Sequence, residues 1–204
     1  NIKMVDSIVS CSVCQRIKTY LVTIRKKFPH YYNLPVPGRG NITSKICIVG
    51  LAPGLHGANK TGLVFTNDFC SKILQECLIE ANYYSRDGSP IFFITNALKC
   101  LPPANSPKIH ELNKCLTHLS SELKEMTNLQ AVIALGMHAH NSILKCYDYC
   151  MSDYKFKHGK VHKLKEFDLY DSYHCSRINI QTKRLTKGSL HNVLSSAREN
   201  TINE

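Results

Sequence analysis

Three continuous apolar runs constrain the fold of this chain more than any other feature. The runs KICIVG, IFFITNAL and AVIALG occupy residues 45–50, 91–98 and 131–136. They lack polar alternation, which is typical of strands in a parallel sheet that is covered on both faces. A fourth run, EFDLYDSYH at about 166–174, also has the composition of a strand. The sequence therefore predicts a buried sheet of four strands.

Helical patterns lie between these runs. Asn67 or Asp68 can cap a helix that extends to about Ala81, and further helices are predicted over 137–147 and 188–199. Ser106-Pro107 is a typical helix start. The helix after it would turn five apolar residues inward, namely Ile109, Leu112, Leu116, Leu119 and Leu123.

The alternation of strands and helices predicts the fold class. We expect a single domain over residues 1–204 with a three-layer α/β/α architecture and a central, mostly parallel four-stranded sheet. An N-terminal helical segment and the loop LPVPGRG precede the first strand.

The chain is strongly basic. Its 204 residues include 26 Lys or Arg and 15 Asp or Glu, so the formal net charge is +11 and the pI is about 9.2. In a compact domain this excess indicates a polyanionic partner such as nucleic acid. The absence of a roughly 18-residue apolar run and of a secretory signal predicts a cytoplasmic protein with no membrane partner.

Ten cysteines without a secretory signal predict reduced thiols rather than disulfides. Cys11 and Cys14 form a Cys-Ser-Val-Cys motif, a spacing that lets two thiolates reach one metal centre. Cys100 and Cys115 are candidates for the two further ligands that such a centre needs. Four such ligands suit either tetrahedral zinc or a [4Fe–4S] cluster, and the spacing does not choose between them.

Polar residues follow the ends of three strands. The glycine-rich loop GLAPGLHGANKTGLVFTND runs from Gly50 to Asp68, and its backbone N–H groups can approach a ligand closely. Asn96 ends the second run, and His174 ends the fourth, ahead of a basic loop. Ligands bind at the carboxyl ends of strands in open α/β sheets, so we expect these groups to meet at one edge. The alternative is structural: an Asn96 amide bonded to backbone, and a His174 ring that only supports the fold.

These segments resemble the motifs of the iron–sulfur uracil-DNA glycosylases, most closely the family 5, or B-type, branch. The loop is similar to GLAPAxHGxNRTGRxFTGD, SYHCSRINIQTKRLT is similar to SYHPSxxNxxTGRLT, and ITNALKCLPPANSP is similar to ITNxVKCxPPxNxP. The order of Cys11, Cys14, Cys100 and Cys115 matches that family's four cluster ligands. The resemblance covers about residues 10–198.

The resemblance implies a monofunctional DNA repair glycosylase. It would hydrolyse the N-glycosidic bond of uracil, and of other deaminated bases such as hypoxanthine or xanthine, and leave an abasic site. Asp68 would position water and stabilise the sugar cation, and His174 would bond the leaving base. A structural [4Fe–4S] cluster on the four cysteines would tie down the N-terminal segment. The enzyme would be a monomer of the bacterial cytoplasm, active at the nucleoid.

The same resemblance assigns the substrate contacts. Phe65 would stack on a base flipped out of the DNA, Asn96 would read its edge, and backbone groups of Gly50 and Leu51 would add contacts. The DNA backbone would be held by Ser176, Arg177 and Arg184. Simpler roles are also open, with Phe65 as a core residue and Asp68 as only a helix cap.

The chain departs from the motifs at four positions. Asn67 and Lys183 stand where the motifs have glycine, Cys175 stands for proline after the histidine, and Leu63 stands for arginine. These changes bear on loop rigidity, rate and base preference. A catalytically silent iron–sulfur DNA-binding relative is therefore the alternative function. A redox or regulatory iron–sulfur protein would use the same cysteines without needing the residues at the sheet edge.

Overall fold

The computed structural model of the chain describes residues 2–202, in which a six-stranded sheet lies between helices. The strands are β1 Arg39–Gly40, β2 Ile46–Gly50, β3 Phe93–Asn96, β4 Ala131–Leu135, β5 Val161–Lys163 and β6 Asp168–Ser172. The helices are α1 Ile2–Val9, α2 Gln15–Lys27, α3 Ala58–Thr61, α4 Phe69–Glu80, α5 Ile109–Glu125, α6 Met137–Cys146, α7 Arg177–Gln181 and α8 Lys187–Ile202, with a 3₁₀ turn at Pro103–Asn105.

The sheet is mixed, with the order β1-β3-β2-β4-β6-β5. Its four inner strands are parallel, and β1 and β5 pair antiparallel at the two edges. The four inner strands are the ones that the apolar runs predict. The predicted total of four strands was wrong, because the sheet also has two edge strands. β1 has 2 residues and β5 has 3, which is too short to produce a sequence pattern.

Helices cover both faces of the sheet, because alternate strand residues point to opposite sides. Cys47 and Val49 of β2 pack with α2, α5 and α6 in one core. Ile46 and Ile48 pack with α4 and α8 in the other core. This arrangement explains why the inner strands read as continuous apolar runs.

The start of α5 differs from the sequence expectation. The helix begins at Ile109 rather than at Ser106-Pro107, because the Glu111 carboxylate accepts the backbone N–H of Lys108 at 2.8 Å and caps that end. Ile109 is 68% exposed, so its predicted inward position was wrong. Leu112, Leu119 and Leu123 are buried, and Leu116 is half-buried.

The N-terminal segment forms two helices rather than one. The Cys11 to Cys14 stretch separates α1 from α2, and Arg16 in the first turn of α2 pairs with the buried Glu111 carboxylate through bonds of 2.8 and 2.7 Å. This bidentate pair holds α2 against the start of α5. None of the helices within residues 2–202 is both long and apolar enough to cross a membrane.

Candidate active site

Gly50, Phe65 and Asn96 meet at the carboxyl ends of β2 and β3. Gly50 pairs with Asn96 in the sheet register. A side chain at Gly50 would overlap both the Phe65 ring and the Asn96 Oδ1 atom, so only glycine lets these groups lie against the backbone. Phe65 itself has a left-handed backbone, with φ of 51°, which turns its ring toward the strand. An aromatic face and an amide therefore share one place at the sheet edge.

The amide of Asn96 has no hydrogen-bond partner among residues 2–202, although the residue is only 3% exposed. The alternative of an amide bonded to backbone was therefore wrong. Asn96 is held through its main-chain carbonyl oxygen, which accepts a hydrogen bond from the Lys99 ammonium at 2.7 Å. Lys99 is itself buried and donates to Thr95 Oγ1 and to the Glu122 carboxylate. The pairing of β3 and the Lys99–Glu122 ion pair thus fix the main chain of Asn96, and its side-chain amide is left available to a ligand.

The main-chain carbonyls of Gly50 and Leu51 are already used within the fold. They accept the N–H groups of Ala97 and Leu98, each at 2.9 Å, which extends the pairing beyond β3. Leu51 also lines a cavity together with His174. These two residues therefore shape the edge of the site, and their carbonyl oxygens are engaged.

Asp68 has two roles in the structure. Its Oδ1 atom caps α4 by accepting the Ser71 N–H at 2.8 Å, and the Ser71 hydroxyl accepts the Asp68 N–H in return. Its Oδ2 atom faces the loop, where a side chain on Gly57 would collide with it and one on Gly54 would lie 3.3 Å away. One oxygen therefore anchors the carboxylate while the other stands over the glycine-rich loop.

His174 lies on the other side of this edge. It lines a cavity with Leu51, Gly136 and Arg184, among others. Its carbonyl oxygen accepts the Asn179 amide at 2.8 Å, which holds the turn between β6 and α7. The imidazole lowers the pKa of the Cys70 thiol in the first turn of α4, and the Cys175 sulfur next to it donates to the Cys70 carbonyl oxygen at 3.6 Å. The turn after β6 and the start of α4 therefore meet here.

Cys70 is the residue at this edge that the sequence analysis did not single out. The Cys175 sulfur donates to the Cys70 carbonyl oxygen at 3.6 Å. Cys175 is also the largest cause that lowers the pKa of the Cys70 thiol, and His174 adds to the effect. The charge of Asp68 acts in the opposite direction on the same thiol. One signal was available, since Cys70 stands two residues after the cap of a helix, where a thiolate is stabilised.

A buried network supports the turn that carries His174. Asp171 accepts hydrogen bonds from His140 at 2.7 Å and from His162 at 3.0 Å, and the backbone N–H of Lys157 donates to it at 3.1 Å. The segment that contains Lys157 places His158 in a stack on Tyr173, with ring centroids 5.1 Å apart. The three side chains could approach one metal ion, but their ring and carboxylate atoms already bond to each other and to backbone. The network therefore has a structural role.

The predicted DNA-contacting residues flank His174. Ser176 caps α7 by accepting the Asn179 N–H at 3.3 Å, so its hydroxyl serves the fold. Arg177 and Arg184 are exposed, the first 5.3 Å from the Phe69 ring centroid and the second 4.4 Å from that of Tyr173. Both guanidinium groups are therefore held by aromatic rings at the surface beside the site.

Four cysteines line one cavity of about 320 Å³ on the face formed by α2 and α5; they are Cys11, Cys14, Cys100 and Cys115. Burial is the largest cause that raises the pKa values of the Cys14, Cys100 and Cys115 thiols, and neighbouring thiols raise them further. The Lys99 N–H donates to the Cys115 sulfur at 3.4 Å. Clustered, buried thiols of this kind gain most from a bound cation, so the donor set fits a thiolate-ligated metal group.

The fold and its edge define a class of protein. It is an α/β protein whose mixed sheet is covered on both faces, with an aromatic ring and an amide that meet at the carboxyl edge and a carboxylate and a histidine in the loops at that edge. The chain belongs to the uracil DNA glycosylase superfamily, whose family model matches residues 37–197. The resemblance that the motifs indicate is thereby confirmed.

Several curated glycosylases are similar in sequence to this protein over most of its chain. A type-5 uracil-DNA glycosylase of Pyrobaculum aerophilum is 35% identical, with 95% of this chain and 90% of the relative covered. A type-5 uracil-DNA glycosylase of Thermus thermophilus is 33% identical, with 95% of each chain covered. A type-4 uracil-DNA glycosylase of Archaeoglobus fulgidus is 30% identical, with 80% of this chain and 73% of the relative covered.

Proposed function

We propose that this protein excises uracil from DNA as a monofunctional glycosylase, by hydrolysis of the N-glycosidic bond to leave an abasic site. Its superfamily and the names of its relatives support this assignment. The observation that carries it is the meeting of the Phe65 ring and the Asn96 amide over Gly50, where the amide has no hydrogen-bond partner among residues 2–202.

The pocket suits the edge of uracil. An amide has both a donor and an acceptor, so the Asn96 side chain can donate to the O4 atom of uracil and accept its N3–H. The Phe65 ring offers a stacking face, which is worth about 1–3 kcal/mol per base in single-strand binders. Gly50 keeps the floor of this pocket free of side-chain atoms.

The same pairing extends the proposal to deaminated purines. Hypoxanthine and xanthine present a carbonyl oxygen next to a ring N–H, as uracil does, so one amide can bond to all three bases. Adenine and cytosine present an amino group beside an unprotonated ring nitrogen, which reverses the neighbouring donor and acceptor. One amide therefore discriminates against adenine and cytosine whatever the ring size, whereas guanine and thymine share the pattern of uracil and must be rejected by the shape of the pocket.

To reach this pocket a nucleotide must leave the duplex, at a cost of a few kcal/mol. Arg177 and Arg184, which are exposed and lie over the Phe69 and Tyr173 rings, would hold phosphates near the His174 turn. Ile178 is 71% exposed next to Arg177. An apolar side chain at that place can fill the gap that the extruded base leaves in the stack.

Hydrolysis then needs stabilisation of two charges. The sugar develops positive charge, which the outward Oδ2 atom of Asp68 can stabilise while it orients a water molecule. The base leaves with negative charge on its carbonyl oxygens, and an N–H of His174, which lines a cavity with Leu51, would donate to one of them. A single donor of this kind contributes about 3–4 kcal/mol to the transition state.

We propose that Cys11, Cys14, Cys100 and Cys115 hold a [4Fe–4S] cluster. The four cysteines line one cavity, and the match of their order to the glycosylase motifs favours the cluster over zinc. Such a group would crosslink the start of α2, the segment after β3 and α5, and its chemistry would be structural rather than catalytic.

Base excision by an Asp68→Asn variant tests the function. Oligonucleotides that carry uracil, hypoxanthine or xanthine are incubated with protein and then treated with alkali to cleave abasic sites. Asn caps helices about as well as Asp, so this variant should fold normally. We expect its excision rate to fall at least 100-fold with DNA affinity unchanged.

The matched control is Ser71→Ala, which weakens the same helix cap but keeps the carboxylate. It should retain most of the excision rate. Equal loss in both variants would show that Asp68 acts only through α4. No excision by folded wild-type protein, with DNA binding intact, would contradict the proposed function.

The cluster predicts a measurable composition. Anaerobically purified protein should contain about four iron atoms and four acid-labile sulfides per chain, with visible absorbance that Cys115→Ala reduces. Cys146→Ala is the control, because Cys146 is also buried on α6 but lies outside the cavity. Stoichiometric zinc without sulfide would contradict the assignment.

A further inference from the structure

The thiol pair Cys70 and Cys175 lies against the catalytic edge and takes no part in the proposed hydrolysis. Cys175 is buried, and its sulfur donates to the Cys70 carbonyl oxygen at 3.6 Å. Cys70 is half-buried in the first turn of α4, and the His174 imidazole is one of the groups that lower the pKa of its thiol. The pair therefore joins the two elements that supply Asp68 and His174.

We propose that Cys70 and Cys175 form an oxidisable pair that hydroperoxides convert to a disulfide, and that this modification stops base excision. The effect on excision rests on the proposed function, whereas formation of the disulfide does not. Cys70 is the half-exposed partner, so it is the one that meets the oxidant. Cys175 is the buried partner, so it resolves the product.

The position of Cys70 favours its thiolate. It stands at the second residue of a 12-residue helix, where backbone N–H groups and the helix dipole stabilise negative charge. Cys175, followed by the His174 imidazole, lowers the pKa of Cys70 further. Proximity to Cys70, followed by burial, raises the pKa of Cys175, so the first proton leaves Cys70.

The chemistry balances as two thiols and one hydroperoxide giving a disulfide, an alcohol and water. The Cys70 thiolate attacks the hydroperoxide, the O–O bond breaks, and the alkoxide leaves and takes a proton to become the alcohol. Cys70 is then a sulfenic acid. Cys175 loses its proton and its sulfur attacks that of Cys70, the S–O bond breaks, and hydroxide leaves as water. Both sulfurs are oxidised, and the peroxide oxygen pair is reduced.

The disulfide would act on excision through geometry. Cys175 directly follows His174, and Cys70 follows Asp68 by two residues. A covalent bond between the two segments fixes the His174 turn to α4 and removes the Cys70 thiol from reach of the imidazole. His174 would then no longer be free to move toward a bound base.

Peptide mass analysis tests the modification directly. Full-length protein is treated with tert-butyl hydroperoxide, alkylated and digested with trypsin without reductant. Cys70 and Cys175 fall in peptides 61–72 and 166–177, each of which contains one cysteine. We expect these peptides to appear joined, with a mass two hydrogens below their sum, and to separate after dithiothreitol. Separate alkylated peptides at peroxide doses that inactivate the enzyme would overturn the proposal.

Excision assays on variants test the consequence. Each protein is compared with its own untreated rate, and visible absorbance is followed to account for cluster damage. Wild-type excision should fall at least 10-fold and recover with dithiothreitol. Cys70→Ser and Cys175→Pro should keep their rates, whereas the control Cys150→Ser, which alters an exposed thiol, should respond like wild type. A joined peptide with unchanged excision, or equal loss in wild type and Cys70→Ser, would overturn the control of activity.

Discussion

At the scale of single residues, two departures from the motifs keep the backbone that glycine would adopt. Asn67 has φ of 59° and Lys183 has φ of 57°, both in the left-handed region. Asn67 is compensated by its side chain, which donates to the His56 carbonyl oxygen at 2.8 Å. Among residues 2–202 the Lys183 side chain has no such bond, and Lys183 directly follows the C-cap of α7, a position that favours glycine. The turn shape is therefore retained, and Lys183 carries strain.

This strain predicts that Lys183→Gly stabilises the protein. A left-handed residue with a Cβ costs about 1–2 kcal/mol, and glycine loses roughly 0.5–1 kcal/mol through the entropy of the unfolded chain. We expect the free energy of unfolding to rise by about 0.5–1 kcal/mol in urea titrations, as the difference between these terms. Lys183→Ala removes the same charge but keeps the Cβ, so it should give no gain. A gain of equal size in both variants would assign the effect to charge.

Some residues of the candidate site could be predicted from the sequence, and others could not. Asn96 and His174 are visible as polar groups at strand ends, which the topology of a parallel sheet brings together. Asp68 and Phe65 lie further along the loop after β2, and their roles were predicted from the resemblance to the glycosylase motifs. The contact between Cys70 and Cys175 was not visible, since it depends on how the turn after β6 packs on α4. No local pattern encodes a distance between residues 105 positions apart.

At the scale of elements, the ion pair between Arg16 and Glu111 sets how α2 meets α5. Arg16 follows Cys14 by two residues, and Glu111 precedes Cys115 by four, so both partners lie next to the cysteine cavity. The Arg16 hydrogen bond is the largest cause that lowers the pKa of Glu111. Stabilisation from a lowered carboxyl pKa is complete above the unfolded value and is lost as pH falls through the folded one.

Glu111→Gln should therefore destabilise the protein at pH 7 and have little effect in acid. We expect the free energy of unfolding at pH 7 to fall by about 1–3 kcal/mol, the range for hydrogen bonds to charged groups. The difference from wild type should shrink as pH decreases below about 4.5, the ordinary pKa of glutamate. Urea titrations between pH 3 and 7 measure this, and Glu125→Gln in the exposed last turn of α5 is the control. A pH-independent difference would show that packing, rather than charge, holds Glu111.

Long elements were predictable and short ones were not. The four inner strands and the helices α4, α5, α6 and α8 follow from apolar patterns of five or more residues. β1 and β5 are too short for a pattern, and they exist because the sheet edges pair with passing loops. The start of α5 was misplaced because the cap comes from Glu111, three residues inside the helix boundary, rather than from Ser106.

At the scale of the whole molecule, the net charge of +11 bears on DNA binding through its distribution. Arg177 and Arg184 lie at the carboxyl edge of the sheet beside the site. Arg86 and Lys124 are also exposed, but they precede β3 and β4 and therefore belong to the amino edge. If DNA binding depends only on total charge, loss of either pair should weaken it equally. If phosphates bind at the site, loss of Arg177 and Arg184 should weaken it more.

The salt dependence of binding separates the two cases. Each phosphate contact that is lost should reduce the slope of log K against log salt by about one. We expect Arg177→Gln/Arg184→Gln to reduce the slope by about two for a uracil-free duplex, measured by fluorescence anisotropy between 50 and 200 mM salt. Arg86→Gln/Lys124→Gln changes the net charge equally and should leave the slope nearly unchanged. Equal slopes for the two double variants would mean that DNA responds to total charge, and that the carboxyl edge holds no phosphate of its own.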